Sequence, residues 1–283
     1  MMNYDAHIHL ALDSHSWKNA RVIHGSAPDD AVIRETLRCY AQAGFTWLRD
    51  GGDPWGVGLR AAQLAPDYGI IYRTPGFAMC PRGRYGAFLG RSFSDDKEYL
   101  QLLNQARESG AQFVKLMLSG IMDLTRFGVL SEPDMDSAQI KWLIRQAHAA
   151  GFAVMAHCNG DRSIRAALEA GVDSLEHGAY MEAETVRLLA DSDTVWVPTL
   201  SPLANLRGSG LADDTVLTQI LAHQREGIER AAAMGGKIAC GSDAGAFAVS
   251  HGRQRERELL ADILGEQTTQ HLEQSLRMLR EKF

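Results

Sequence analysis

Short apolar segments alternate with longer amphipathic segments along almost the whole chain. The short segments are rich in β-branched and aromatic residues, which predicts buried strands, and the longer ones have helical periodicity. The predicted strands cover residues 4–10, 45–49, 70–79, 113–118, 153–157, 174–176, 195–199 and 238–241. The predicted helices cover residues 29–42, 95–108, 137–149, 162–169, 182–190, 215–234 and 256–282. This alternation is typical of βα units built around a parallel sheet.

Two architectures accommodate eight such units, a doubly wound sheet and a (β/α)₈ TIM barrel. The first predicted strand lacks the GxGxxG turn of a dinucleotide-binding sheet. The length of 283 residues also suits a barrel, which typically has about 250 residues. We therefore predict an α/β fold of the (β/α)₈ TIM-barrel type, as a single domain over residues 1–283.

Charge and composition narrow the classes of partner. The chain has 29 Lys and Arg residues against 35 Asp and Glu residues, a net charge of −6, with no long run of one sign. This balance favours a small-molecule substrate over nucleic acid or an anionic membrane. The N-terminal residues lack the layout of a signal peptide, and no stretch approaches the ~20 apolar residues of a membrane span, which predicts a cytoplasmic protein.

Metal-binding residue types follow several of the predicted strands at their C-terminal ends. His7 and His9 close the first strand, His157 ends the fifth, His177 follows the sixth and Asp243 follows the eighth. In TIM barrels the working residues lie at this end of the strands, and a strand's period of two directs His7 and His9 to one face. Four imidazoles and a carboxylate form a ligand set suited to Zn²⁺ or a similar divalent ion.

Each of these residues also has a structural explanation when taken alone. A histidine at a strand end is commonly just hydrogen-bonded, and Asp243 before Ala-Gly is a typical turn residue. The shared position of all five at the same ends of the strands favours the metal-site interpretation.

Lys115 lies within the fourth predicted strand, in "QFVKLMLSG". An ammonium group is repelled by a metal cation, but reaction of the amine with carbon dioxide would give a carbamate whose two oxygens can bridge two metals. The alternative is a lysine that extends outward between helices, with Val114 and Leu116 facing inward. The spacing leaves both orientations open.

The ordered set of HxH, Lys, His, His and Asp resembles the binuclear amidohydrolase superfamily. The surrounding segments are similar to its prolidase-like and imidazolonepropionase-like branch, namely "TWLRDGG", "FVKLMLSG", "HAAGFAVMAHCNG", "AALEAGVDSLEHG", "VPTL" and "GSDAG". The resemblance extends over residues 4 to 250.

The resemblance implies two divalent metal ions, with zinc favoured. His7, His9 and Asp243 would hold one ion, His157 and His177 would hold the other, and a carboxylated Lys115 would bridge them. A hydroxide shared by the metals would attack the substrate, and Asp243 would carry its proton to the leaving nitrogen.

Many relatives carry an accessory β-sandwich built from the two ends of the chain. Here the HxH motif begins at residue 7, so we expect a barrel without this sandwich. Its loss would expose barrel surface, which makes a homo-oligomer an expectation to test.

A second set of residues is predicted to contact the substrate. Arg82, Arg84 and Tyr85 follow the third strand in "CPRGRYG", and guanidinium groups bind carboxylates well. Tyr180 and His251 follow His177 and Asp243 and are predicted to line the pocket. Solvated arginines on a surface loop, a core tyrosine and a loop-ordering histidine are the alternatives.

The sequence therefore predicts a metal-dependent amidohydrolase that cleaves an amide-like C–N bond of a small molecule, such as an N-acyl amino acid, a dipeptide or a cyclic amide. A lactonase or phosphotriesterase-like esterase on the same binuclear site is the first alternative, because a bridging hydroxide attacks any suitably polarised electrophile. A metal-holding barrel without catalytic activity is the second.

Overall fold

Parallel strands form the centre of the computed structural model, which describes residues 3–283. All neighbouring strands within each sheet run in the same direction. In chain order the strands are β1 (Asn3–Ile8), β2 (Phe45–Asp50), β3 (Ile71–Arg73), β4 (Ala78–Pro81), β5 (Gly90–Phe93), β6 (Val114–Met117), β7 (Val154–Cys158), β8 (Ser174–His177), β9 (Val195–Val197) and β10 (Lys237–Ile238).

Helices connect most of the strands. They are α1 (Trp17–His24), α2 (Asp30–Gln42), α3 (Val57–Leu64), α4 (Asp96–Glu108), α5 (Ser137–Ala149), α6 (Asp161–Glu169), α7 (Ala183–Asp191), α8 (Ser201–Leu206), α9 (Asp214–Ala233), α10 (Arg255–Leu264) and α11 (Thr268–Lys282). Short 3₁₀ turns lie at Ala65–Tyr68, Ala87–Leu89 and Gly265–Gln267. None of the helices in residues 3–283 combines the length and apolar character needed to cross a membrane.

The strands are arranged as two sheets, in the orders β1-β2-β3 and β10-β9-β8-β7-β6-β4-β5. β3 and β4 together correspond to the single strand predicted at residues 70–79, which is interrupted at Pro75 and Gly76. β3 pairs with β2 and β4 pairs with β6, so the interrupted strand lies between its two expected neighbours. β5 is an additional strand on the other side of β4.

Hydrogen bonds also join β1 to the segment that follows β10. The N–H of Ala6 donates to the carbonyl of Cys240 (2.8 Å), and the N–H of Asp243 donates to the carbonyl of His7 (2.7 Å). The α/β fold with parallel strands is as predicted. The order of the strands is consistent with a TIM barrel, although the assigned strands form two sheets and not one closed sheet.

Most predicted helices are present, and the differences have local causes. The predicted helix at residues 256–282 is divided into α10 and α11 at Gly265, whose positive φ of 56° ends α10. The sequence prediction lacked α1, α3 and α8, which have eight, eight and six residues. Segments this short carry too few turns for a clear helical period.

The apolar core lies between the strands and the helices that surround them. Val114 and Leu116 of β6 are fully buried in the same cluster as Ile140 and Ile144 of α5. Because side chains alternate along a strand, Lys115 between them points away from this cluster and lines the central cavity. The inward orientation of Lys115 is therefore the one that the structure adopts.

Candidate metal centre

Three side chains converge where β1 ends and the chain leaves β10. Nε2 of His7 lies 3.4 Å from Nε2 of His9, and the two nitrogens lie 3.5 Å and 3.3 Å from Oδ1 of Asp243. Bonds of about 2.0–2.1 Å at tetrahedral angles separate neighbouring donor atoms by about 3.4 Å. The spacing and the chemistry of the three donors therefore fit one divalent metal ion.

Asp5 connects the two backbone segments that carry these ligands. Its carboxylate accepts hydrogen bonds from the backbone N–H of His7 (3.2 Å) and from the N–H of Ser242 (2.8 Å). The hydroxyl of Ser242 donates to the same carboxylate. Burial raises the pKa of Asp5 to about 7 even though the hydrogen bonds from Ser242 and His7 oppose the shift. Asp5 was not among the predicted site residues, although it stands two residues before His7.

The second ring nitrogen of His7 is held by the protein. Nδ1 of His7 donates to Oε2 of Glu176 at 2.6 Å, and both side chains are fully buried. Oε1 of Glu176 accepts from Nη2 of Arg49 at 2.8 Å and from the hydroxyl of Ser174. A carboxylate that fixes one nitrogen of a histidine leaves the other oriented for a metal. Glu176 therefore acts on the metal site through His7.

His157 and His177 lie beside this group with their rings 4.5 Å apart, and the ring of His177 lies 5.1 Å from that of His7. Nδ1 of His177 donates to the hydroxyl oxygen of Thr199 at 2.6 Å. Nε2 of His157 donates to the carbonyl of Gly120 at 3.3 Å. These contacts engage one ring nitrogen of each histidine and leave Nε2 of His177 and Nδ1 of His157 as the possible ligand atoms.

Gly51 makes room for the ring of His9. A Cβ atom at position 51 would lie 2.3 Å from Cε1 of His9, closer than real Cβ contacts allow. The neighbouring Asp50 accepts the N–H groups of Leu10 (3.1 Å) and Gly52 (3.0 Å). The "RDGG" turn after β2 thus supports the segment that presents His9.

The amine of Lys115 is buried and has no hydrogen-bond partner among the described residues. Burial lowers the pKa of Lys115 to about 8, against the attraction of Glu176 and Asp243. A buried amine without a partner is an unfavourable arrangement for a structural lysine. The amine of Lys115 therefore loses its proton more readily than the amine of an exposed lysine.

Burial favours the neutral form of three histidines of the site, His7, His157 and His177. It lowers the pKa of His157 to about 3, with a further contribution from Lys115. The pKa values of His7 and His177 lie well below the ordinary value, again chiefly because the rings are buried. For Asp243, burial raises the pKa, but His7, His9 and Lys115 together outweigh this effect and the net shift is downward. Neutral imidazoles and an ionised carboxylate are the forms that bind metal.

A cavity of about 450 Å³ opens above these residues. All six predicted metal ligands line it, namely His7, His9, Lys115, His157, His177 and Asp243. Tyr85 lines it as well, with its ring 5.1 Å from that of His157. This volume lies within the range typical of small-molecule sites, about 300–1,000 Å³.

The other residues predicted to contact substrate lie outside the cavity lining. Arg82 is 61% exposed and pairs with Glu98, and Arg84 pairs with Glu132. Neither arginine belongs to the cavity lining, and Arg84 also donates to the carbonyl of Pro133.

Tyr180 and His251 are likewise engaged elsewhere. Tyr180 packs edge-on against Phe127 (5.3 Å between ring centroids). His251 contacts the carbonyl of Leu12 (2.8 Å) and the hydroxyl of Tyr40 (3.0 Å), which orders the loop after Asp243.

Several cavity residues had no signal in the sequence. Trp17, Phe88 and Phe247 line the cavity from helix or loop segments without a recognisable motif.

Glu176 was also missed from the sequence. It precedes His177 directly, so strict strand alternation would place the two side chains on opposite faces. The positive φ of His177 (67°) ends this alternation and brings both side chains to the inside.

Comparisons with known proteins agree with this geometry. The model of the amidohydrolase family matches residues 4–279. An uncharacterised protein of Mycobacterium tuberculosis is 30% identical over 257 residues, which is 88% of this chain and 64% of that protein. The chain thus spans slightly less than two thirds of the length of this relative.

Solved structures share the fold. An Xaa-Pro dipeptidase with bound methionine superimposes with a TM-score of 0.76 at 19% identity, over 99% of this chain and 75% of that one. The ochratoxinase of Aspergillus niger superimposes with a TM-score of 0.73 at 20% identity, over 95% of this chain and 68% of that one. The family match covers nearly the whole described chain, and the chain belongs to the amidohydrolase family.

Proposed function

We propose that this protein is a metal-dependent hydrolase that cleaves an amide-like C–N bond of a small molecule. N-acyl amino acids, dipeptides and cyclic amides are the substrate classes to test first. The observation that carries the proposal is the triangle of donor atoms of His7, His9 and Asp243, 3.3–3.5 Å apart, at the base of the cavity. The names of two structural relatives, an Xaa-Pro dipeptidase and a bottromycin amidohydrolase, support an amide substrate.

The protein would hold two divalent ions, with zinc favoured by the imidazole-rich set. His7, His9 and Asp243 would bind one ion, and the free nitrogens of His157 and His177 would bind the other. Lys115 would bridge the two after its amine adds to carbon dioxide and loses a proton, which forms an N–C bond and leaves an anionic carbamate. The buried and unpartnered amine of Lys115 supports this modification.

Bound divalent ions would supply an activated water and polarise the scissile carbonyl. The residues of this chain would then position the substrate and move the proton. Asp243 is ionised and borders the cavity, so its carboxylate can accept the proton of the attacking water and return it to the leaving nitrogen. Glu176 keeps the ring of His7 in its orientation during the reaction.

Metal reconstitution combined with the Asp243→Asn substitution tests the proposal. The zinc-loaded protein should hydrolyse at least one member of a panel of N-acyl amino acids, dipeptides, cyclic amides and aryl amides. Asp243→Asn should lower kcat by at least about a hundredfold, in line with the loss of a general acid–base group. Asp193→Asn, at a side chain that is 90% exposed, should keep full activity.

Lactones and phosphotriesters complete the panel. Turnover of these esters alone would replace the amide hydrolase by an esterase on the same site. Metal binding without turnover of any panel member by either protein would contradict catalysis altogether and would favour a metal-holding barrel.

A further inference from the structure

The cavity above the metal centre has apolar walls. Met122 and Leu124 line it from the loop after β6, and Leu203 and Leu206 line it from α8. The last two are almost completely buried. A substrate that enters this cavity therefore exchanges water for methyl and methylene groups along most of its length.

Aromatic side chains surround the mouth of the cavity. Trp17, the first residue of α1, is 41% exposed, and Phe247 in the loop after β10 is 52% exposed. Phe88 lies beside Trp17, with 6.1 Å between the ring centroids. Exposed rings around a cavity mouth offer apolar area that a bound ligand can cover.

Charged groups that could recognise an ionised substrate are scarce in the cavity. Within residues 3–283 the lining contains no arginine, and its one lysine and one carboxylate are Lys115 and Asp243 of the metal centre. The other ionisable side chains of the described lining are Tyr85, the histidines of the metal centre and His15, of which His15 lies at an exposed position. Away from the metal centre and His15, a carboxylate or ammonium group in this cavity would lose hydration without gaining a charged partner from the described lining.

We propose that the cavity selects neutral substrates with bulky apolar or aromatic groups on the scissile amide, and disfavours substrates with a free carboxylate. This inference rests on the proposed hydrolase function and narrows its substrate class away from dipeptides and N-acyl amino acids. Trp17 and Phe247 are the specificity-determining residues at the mouth. The cavity volume of about 450 Å³ accommodates two aromatic rings joined by an amide.

Two matched pairs of compounds test the inference on the full zinc-loaded chain. The first pair is benzanilide with either a hydroxymethyl group or a carboxylate para to the amide nitrogen, and its readout is kcat/KM. The second pair is trans-stilbene with either a para hydroxymethyl group or a para carboxylate. These compounds have no C–N bond to cleave, and their readout is Kd by calorimetry. The neutral member should have at least a tenfold higher kcat/KM in the first pair and at least a tenfold lower Kd in the second.

Variants at the mouth test whether its aromatic side chains contact the bound ligand. Trp17→Ala should raise the Kd of the neutral stilbene about tenfold, whereas Val22→Ala, in the same helix at 85% exposure and outside the cavity lining, should leave it unchanged. Phe247→Arg should shift the preference toward the carboxylate. His15→Gln should retain the preference for the neutral compound.

Tighter or equal binding of the carboxylated stilbene would overturn the inference, as would equal effects of Trp17→Ala and Val22→Ala. The two readouts also separate this inference from the proposed function. A neutral preference in binding, without hydrolysis of any amide, would sustain the inference and contradict the hydrolase. Hydrolysis of amides without a preference for the neutral compounds would support the hydrolase and contradict the inference.

Discussion

Nδ1 of His7 lies 2.6 Å from a carboxylate oxygen of Glu176, and neither side chain is accessible to solvent. The other oxygen of Glu176 lies 2.8 Å from the guanidinium of Arg49, which is also fully buried. Arg49 in turn donates through Nε to the carbonyl of Ala6 (2.7 Å), in the strand that carries His7. One carboxylate thus links an imidazole of the candidate metal centre to a buried cation and to the backbone beneath the site.

Glu176→Gln should lower the affinity for zinc by about 10–100-fold, because the amide cannot accept hydrogen bonds from both His7 and Arg49. The variant should also be less stable, by about 3–5 kcal/mol, since Arg49 loses its charged partner inside the protein. Competition with a chelator measures the first effect and urea denaturation measures the second. Glu184→Gln, at an exposed position on α7, is the matched control. Unchanged zinc affinity in Glu176→Gln would refute the orienting role of Glu176.

Gly51→Ala should displace the ring of His9, because the added methyl carbon would lie 2.3 Å from Cε1. We expect a loss of stability of about 1–3 kcal/mol from overpacking, together with weaker metal binding. Gly151→Ala is a suitable comparison, since its φ of +81° is strained for alanine but its surroundings are open. It should lose about 1–2 kcal/mol and bind metal normally. If both variants bind metal equally well, the position of His9 does not depend on Gly51.

The sequence predicted what depends on local periodicity. His7 and His9 share a face because strand side chains alternate, and Asp243 follows the last strand as the barrel pattern requires. The structure brings these residues together with His157, His177 and Lys115 around one cavity. The alternation of strands and helices implies parallel neighbouring strands. This arrangement is sufficient to place the six residues at the same end of the strands.

The sequence could not predict contacts that depend on distant pairing. Arg84 and Glu132 are far apart in the chain, so nothing local showed that this arginine would be held outside the cavity. Glu176 was missed because its inward direction depends on the backbone at His177. The apolar cavity walls come from loops and a six-residue helix, where periodicity is too short to indicate burial.

Lys115→Ala should reduce the zinc content from two ions per chain to one, because the bridging ligand is removed. Wild-type protein prepared with ¹³C-labelled bicarbonate should give a carbamate signal in the carbon NMR spectrum that the variant lacks. Lys97→Ala, on the exposed side of α4, should keep both ions and the signal. One ion in the wild type, together with no effect of Lys115→Ala, would reduce the site to a mononuclear centre.

Glu256 makes the stability of the protein depend on pH. Its buried carboxylate accepts hydrogen bonds from the N–H groups of Leu200 (2.9 Å) and Ser201 (2.8 Å). Burial nevertheless raises the pKa of Glu256 from 4.5 to about 7. Between pH 4.5 and about pH 7 the folded protein therefore holds a proton on Glu256 that the unfolded chain has released. The stabilisation from Glu256 is complete below about pH 4.5 and is lost as the pH rises through 7.

Glu256→Gln should abolish this contribution. The wild-type free energy of unfolding minus that of the variant should fall by on the order of 2–3 kcal/mol between pH 5 and pH 7.5, at about 1.4 kcal/mol per pKa unit. The amide has one oxygen in place of two and so loses a hydrogen bond from Leu200 or from Ser201, at every pH alike, which shifts this difference without changing its slope. Glu258→Gln, two residues further along α10 at a side chain 63% exposed, is the matched control. A flat difference for Glu256→Gln would instead mean that this carboxylate is ionised in the folded protein throughout the range, held by its hydrogen bonds at the start of α8.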